Sequence, residues 1–275
     1  MPYRHAPYYV LVVIAVIVAG FWPSYFAQWG TVPWQFHAHG VAASLWVLMV
    51  LAQSITIHKQ QLPLHRAVGK SSLLLFPFLI GGLAAIIDVT GKGFVSGEGA
   101  TRALYGGQFL IGLALAIAAY VVLFYRALKY RRKVWLHSGY MLATPLILFE
   151  SPFSRLMTGF VPGLTIRGPE NFNRIIPSIE WAMAIELAII AVLWFRFRGK
   201  ASPFLVAGLF IVGQMLTMGL LVDNAVLEAI LGVIGRLPSA AVVLTGMAIG
   251  AATSWAGWNA GKRPAAVAAG AAQPA

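Results

Sequence analysis

The sequence contains no cysteine and few charged residues, and both absences limit what the protein can be. Without cysteine there are no disulfides, thiolate metal sites, iron–sulfur clusters, covalent c-type haem or cysteine nucleophiles. Only 10% of the 275 residues are charged and 59% are hydrophobic, whereas soluble domains carry about 25% charged residues. The composition therefore excludes an ordinary soluble enzyme, a disordered chain and a secreted disulfide scaffold. It predicts a membrane protein.

Acidic residues are especially scarce, with 8 Asp and Glu against 20 Lys and Arg, which gives a net charge of +12. In a soluble protein such an excess could indicate nucleic-acid binding. In an apolar chain it is better explained by topology, because basic residues collect on the cytoplasmic loops of membrane proteins. We therefore expect the lipid bilayer, and not nucleic acid, to be the partner of this chain.

Long apolar runs predict an all-α, polytopic membrane protein with about eight transmembrane helices. A span needs about 20 mostly apolar residues, and no charged residue lies between Arg4 and Lys59. That run is too long for one helix, and a Trp- and Pro-containing segment divides it into two. The predicted spans are residues 8–28, 36–57, 69–88, 102–126, 134–151, 177–195, 203–222 and 238–258.

The distribution of cations predicts the orientation of these spans. With the N-terminus placed in the cytoplasm, 14 of the 20 cations fall on cytoplasmic loops and none of the 8 acids does. This bias follows the positive-inside rule. It predicts a multi-pass protein of the bacterial cytoplasmic (inner) membrane with both termini in the cytoplasm.

The histidines suggest a division of the chain, because all six lie within residues 1–137. We predict a histidine-containing five-helix bundle over residues 1–151, an outer loop over 152–176 and a three-helix C-terminal bundle over 177–262. The remaining residues, 263–275, are rich in Ala, Pro and Gly and are predicted to be a disordered tail.

Two histidines begin predicted spans from the same, cytoplasmic side. His65 begins the third span and His137 begins the fifth, so they share a depth and can face one another. Imidazoles from two facing helices are a ligand set for b-type haem. Basic residues beside them, such as Arg66, could form ion pairs with the haem propionates. The alternative is that both are interfacial histidines beside anionic lipid headgroups.

A second group of polar residues lies at the outer side. His37 and His39 begin the second span there, roughly 32 Å from its other end at 1.5 Å per residue, so they need a site of their own. Together with Glu150 they could bind a divalent metal, or a quinone could occupy this site. Three further candidates lie at similar depth or nearer the midplane: Arg155, Glu180 and Glu186. The alternatives are that Glu150 pairs with Arg155, that Glu180 is solvated and that Glu186 is a buried hydrogen-bonding group.

Three elements carry a resemblance: FHAHG at residues 36–40, LHRAVGK at 64–70 and HSGYMLAT at 137–144. In these elements the chain resembles bacterial multi-span membrane proteins that keep FHxHG, HRxxG and HxxYMxAT elements. The middle element is similar to one in di-haem b-type membrane cytochromes and ferric-reductase-like proteins. The resemblance covers about residues 35–156 and implies bis-histidine haem and transmembrane electron transfer. The chain departs from that pattern because its outer histidines have no histidine partner on the fourth helix, so the comparison retains only the pair His65 and His137.

We therefore expect an integral membrane haem-binding redox protein that transfers electrons or supports a respiratory or oxidase complex, and that could be an oxidoreductase. Its cofactors would be haem b and a second metal ion or quinone, and its partners would be other membrane redox subunits. Two alternatives remain open. One is a metal-ion or proton-coupled transporter or sensor that uses the His and Glu residues without haem. The other is a cofactor-free assembly subunit of a membrane complex.

Overall fold

A computed structural model describes residues 3–262, and this part of the chain consists of helices joined by turns and short loops, without a strand. The predicted tail, 263–275, lies outside the described residues. The α-helices are α1 (Ala6–Phe21), α2 (Trp34–His58), α3 (Leu62–Ser96), α4 (Ala100–Lys129), α5 (Val134–Phe160), α6 (Ile175–Phe197), α7 (Ser202–Leu220), α8 (Ala225–Arg236) and α9 (Ser239–Ala260). Each of the eight predicted spans overlaps one of these helices, and α8 is additional.

The helix boundaries follow from local sequence. Proline occupies the first turn of α1, α3 and α7, where its missing N–H costs no helical hydrogen bond. Gly97 ends α3 with φ of 71°, a left-handed conformation that glycine adopts without strain. Asn224 caps α8, since its side-chain oxygen accepts from the backbone N–H groups of Val226 and Leu227.

Six helical segments of the described chain are long and apolar enough to cross a membrane: Trp34–His58, Leu62–Ser96, Ala100–Lys129, Pro169–Lys200, Ser202–Leu220 and Ser239–Ala260. The helix α1 is apolar but has only 16 residues. The helix α5 has 27 residues, but polar side chains such as Glu150 and Arg155 lower its mean hydropathy. It packs against α1, α4, α6 and α7, so other helices, and not lipid, surround much of its polar surface.

The helix α5 is longer than its predicted span and continues through Pro145 and Pro152 to Phe160. Residues 152–160 therefore belong to a helix and not to an outer loop. Proline is tolerated inside membrane helices when other groups satisfy the freed carbonyls. Here Thr144 Oγ1 donates to the Met141 carbonyl at 2.8 Å, which Pro145 cannot serve. A Cβ atom on Gly20 would lie 2.8 Å from Pro152 Cα, so glycine lets α1 approach α5 at this point.

The C-terminal helices pack directly onto the histidine-containing ones and do not stand apart as a second bundle. The helix α9 packs along α3 and α4, and α7 packs against α4 and α5. Gly246 and Gly250 face α3, where added Cβ atoms would lie 2.9 Å from the Ile80 carbonyl oxygen and 2.6 Å from Pro77 Cα. Small residues of this kind let membrane helices pack closely. The GxxxG step thus serves contact within the chain.

Candidate functional site

Polar side chains gather at the two ends of the bundle. The His65 end is where α2 and α4 finish and α3 and α5 begin, and the His39 end is the opposite one. The middle of the bundle between them is filled by the fully buried rings of Trp46, Phe76 and Phe124. The two ends are therefore separate places for chemistry.

His65 lies in the first turn of α3 and is held by the last turns of α2. Its Nδ1 lies 3.3 Å from the Gln53 carbonyl oxygen, and the Gln53 side-chain amide donates in return to the His65 carbonyl at 3.0 Å. Because a carbonyl only accepts, Nδ1 carries the proton in the neutral ring. The other ring nitrogen, Nε2, is left with a lone pair.

His137 lies in the first turn of α5 and has the same arrangement on another helix. Its Nδ1 lies 2.9 Å from the Ala127 carbonyl oxygen, near the end of α4. Nδ1 is again the donor, and Nε2 again keeps its lone pair. A hydrogen bond from one ring nitrogen to a backbone carbonyl is how proteins orient imidazoles that bind metals through the other nitrogen.

The two imidazoles share a depth in the bundle. Trp46 Nε1 donates to Thr144 Oγ1 at 2.9 Å, which places these positions of α2 and α5 side by side. The two helices run in opposite directions, so Gln53, two turns after Trp46, lies level with His137, two turns before Thr144. Since His65 contacts Gln53, it lies close to that level, and it is within electrostatic range of His137.

Basic residues at this end differ in what they contact. Arg66 and Lys70 are exposed on α3 beside His65. Arg131 instead donates to the Trp258 carbonyl at 2.9 Å and stacks over the Trp258 ring at 4.4 Å, so it fastens α9 to the end of α4. Arg66 and Lys70 are therefore the cations next to His65 that an anionic group could reach.

At the His39 end, His37 faces the aromatic segment between α1 and α2. Its Nδ1 lies 3.1 Å from the Tyr25 hydroxyl, and its ring lies 4.5 Å from the Trp29 ring. Burial raises the pKa of Tyr25, so the phenol keeps its proton and remains a hydrogen-bonding partner. This contact occupies Nδ1 and leaves Nε2 as the only ring nitrogen for another ligand.

His39, Glu150 and Arg155 form a loose group at the same end. Arg155 is within electrostatic range of both other residues, but its Nη1 donates to Ser151 O at 2.8 Å and to Ser151 Oγ at 2.7 Å. Its guanidinium also lies over the Phe21 ring at 4.7 Å. His39 Nδ1 is buried and has no hydrogen-bond partner. Arg155 thus lies near Glu150 without a direct ion pair.

Two of the candidate acids, Glu180 and Glu186, and a third acid, Asp88, have different surroundings. Glu186 is 1% exposed, midway along α6, and its Oε1 has no hydrogen-bond partner. Glu180 is half-buried where α6 meets α7, beside Gly219. Asp88 is fully buried on α3, where Lys92 Nζ binds it at 2.8 Å and Gln35 Nε2 donates to it at 3.0 Å. Lys92 thus balances the charge of Asp88, whereas no cation within residues 3–262 pairs with Glu186.

No three His, Asp or Glu side chains gather closely enough to hold one metal ion within residues 3–262. His37, His39 and Glu150 therefore do not form a preassembled trio here. His37 is turned towards Tyr25, and Glu150 lies near Arg155, which opposes binding of a cation.

Sequence reasoning missed two residues that lie close to Glu186. Tyr9 lies in the first turn of α1, and its hydroxyl is buried without a hydrogen-bond partner and is within electrostatic range of Glu186. Tyr120 is fully buried, and its hydroxyl donates to the Thr144 carbonyl at 2.9 Å. The adjacent pair Tyr8 and Tyr9 carried a signal for the burial of one of them, because successive residues of a helix point in different directions. Tyr8 is the exposed member of the pair.

Comparisons with protein-family models, with curated proteins and with solved structures each find no match for this chain. The function is therefore inferred from side-chain geometry and charge.

Proposed function

We propose that this chain is a multi-pass membrane redox protein that holds b-type haem between His65 and His137. The observation that carries the proposal is the matched hydrogen bonding of the two imidazoles. Each directs Nδ1 to a backbone carbonyl of a neighbouring helix, which leaves both Nε2 atoms with a free lone pair at a similar depth. Two imidazoles from two helices are an established ligand set for haem.

The surrounding residues fit this role. The backbone carbonyls of Gln53 and Ala127 fix the tautomer and the direction of each ring, so little freedom is lost on binding. Arg66 and Lys70 supply positive charge for propionate groups at the membrane edge. When bound, the haem would supply reversible one-electron transfer. We propose accordingly that the protein transfers electrons or supports a respiratory or oxidase complex together with other membrane redox subunits.

The proposal is tested by the absorption spectrum of the detergent-solubilised protein, expressed with a haem supply. We expect a Soret band, the split α and β bands of a six-coordinate reduced haem, and a pyridine haemochrome of b type at one haem per chain. A colourless protein that also fails to bind added hemin would overturn the proposal.

We also propose that eight helices, α1–α7 and α9, cross the bacterial cytoplasmic membrane with both termini inside. Six of them have the necessary length and hydropathy. The helix α1 extends into an apolar, aromatic segment, and α5 lies among other helices. Counting α1 and α5 as spans keeps the cation-rich loops on one side, as the positive-inside rule requires.

The chain has no cysteine, so single-cysteine variants report this topology without background. We expect Glu170→Cys, in the segment between α5 and α6, to react with a membrane-impermeant maleimide in intact cells. Arg132→Cys, between α4 and α5, should react only after the membrane is permeabilised. Both positions are exposed. The reverse pattern, or labelling of both variants in intact cells, would contradict the proposed topology.

A further inference from the structure

Glu186 lies in the middle of α6 among groups that cannot balance a negative charge. It is 1% exposed, and the titratable side chains within range are Glu150 on α5, Tyr9 on α1 and Tyr120 on α4. All three are acids. The helix α7, which also packs against α6, has no titratable side chain in its sequence.

Within residues 3–262 no cation lies within ion-pair distance of Glu186, and the one ion pair shorter than 4 Å joins Lys92 and Asp88. An ionised carboxylate buried without a partner costs far more free energy than a neutral carboxylic acid. Buried ionisable groups in membrane helices are therefore either paired or neutral, and they often mark proton pathways.

We propose that Glu186 is a proton-binding site inside the membrane, which exchanges its proton with water at the His39 end through Glu150. The carboxyl group of Glu186 is held as the neutral acid. Its Oε1 and the Tyr9 hydroxyl are both buried without hydrogen-bond partners, which is uncommon in folded proteins. Two unpartnered polar atoms, one on α6 and one on α1, are therefore available to hold a proton or a bridging hydrogen bond in this buried region.

Glu150 is the group through which the proton leaves. Glu186 lies against the backbone of Glu150, and Glu150 is only partly buried, with Arg155 in range. In the transfer step the O–H bond of Glu186 breaks as an O–H bond forms on the ionised Glu150, and the negative charge moves inward. Glu150 then releases the proton to water, and Glu186 takes up another by the reverse path. Arg155 favours the resting arrangement, in which Glu150 is ionised and Glu186 is neutral.

Infrared spectroscopy of the full chain in lipid at neutral pH tests this inference. We expect a protonated-carboxyl C=O band that shifts in D₂O and is lost in Glu186→Gln. The matched control, Glu180→Gln, changes a half-buried glutamate of the same helix and should keep the band. Glu150→Gln should also keep the band but slow its exchange in D₂O, because the next proton carrier is removed.

Each outcome bears on the proposal. A band that persists in Glu186→Gln would show that Glu186 is not the neutral acid, and unchanged exchange in Glu150→Gln would remove Glu150 from the route. If Glu186→Gln does not fold, Glu186→Asp keeps a carboxyl group, and its band should move in frequency. The proposal does not depend on haem, so a colourless protein that shows the Glu186 band would separate the two.

Discussion

Replacing His137 or His65 with alanine is expected to abolish the six-coordinate haem spectrum. In the proposed site each imidazole would supply one Nε2 ligand, and no cysteine is present to attach the haem covalently. A single replacement should leave at most a weakly held five-coordinate haem, and the double replacement should leave none. Absorption spectra and pyridine haemochrome stoichiometry of the purified variants measure this loss. Gln53→Ala, which removes the amide bond to His65 O, should weaken hemin binding by about tenfold, as disturbing the support of a ligand does.

Two matched controls separate ligation from general damage. His5 is exposed before α1, on the side to which the positive-inside rule assigns His65 and His137, and His37 lies at the opposite end against Tyr25. Alanine at either position should leave the spectrum unchanged. Loss of haem in His37→Ala with retention in His137→Ala would place the cofactor at the His39 end and contradict our assignment.

Hydropathy and charge were sufficient to predict the helices that lie in long apolar runs. They failed for α8 and for the end of α5, where packing against other helices determines the structure. The helix α8 has only 12 residues, and its exposed apolar stripe of Val226, Ile230 and Val233 is too short to register as a span. The predicted fifth span ends at residue 151, yet α5 continues through Pro152 to Phe160, where α1 packs against it. Proline is tolerated inside a membrane helix when neighbouring groups satisfy the freed carbonyls, so it does not by itself mark a helix end.

In the candidate sites, too, residue spacing predicts some features and helix packing determines the others. Counting residues along the spans correctly placed His65 and His137 at one end of the bundle. Which nitrogen each ring uses depends on carbonyl groups of α2 and α4, and no pattern in one sequence specifies that. The surroundings of Glu186 were equally hidden, because Tyr9 and Tyr120 are 111 residues apart in sequence and are brought together only by the packing of α1 and α4 against α5.

Replacing Asp88 with asparagine is expected to destabilise the His39 end by about 2–3 kcal/mol, the scale of a buried charge-assisted interaction. Asp88 is fully buried and binds Lys92 Nζ at 2.8 Å and Gln35 Nε2 at 3.0 Å. Lys92 in turn donates to the Leu237 carbonyl at 3.0 Å, so this group joins α2, α3 and the start of α9. Asparagine keeps the size but leaves the Lys92 ammonium group without its counter-charge. Thermal unfolding in a mild detergent should show a clearly lower Tm.

The control for Asp88→Asn is Asp223→Asn, which removes the same charge from an exposed position between α7 and α8. Asp223 has φ of 49°, and asparagine tolerates that conformation, so its Tm should stay at the wild-type value. The double variant Asp88→Asn with Lys92→Gln should be less destabilised than the sum of the two single changes, because the second change removes the unpaired cation. Additive losses would mean that Asp88 acts through packing and the bond to Gln35, and not through Lys92.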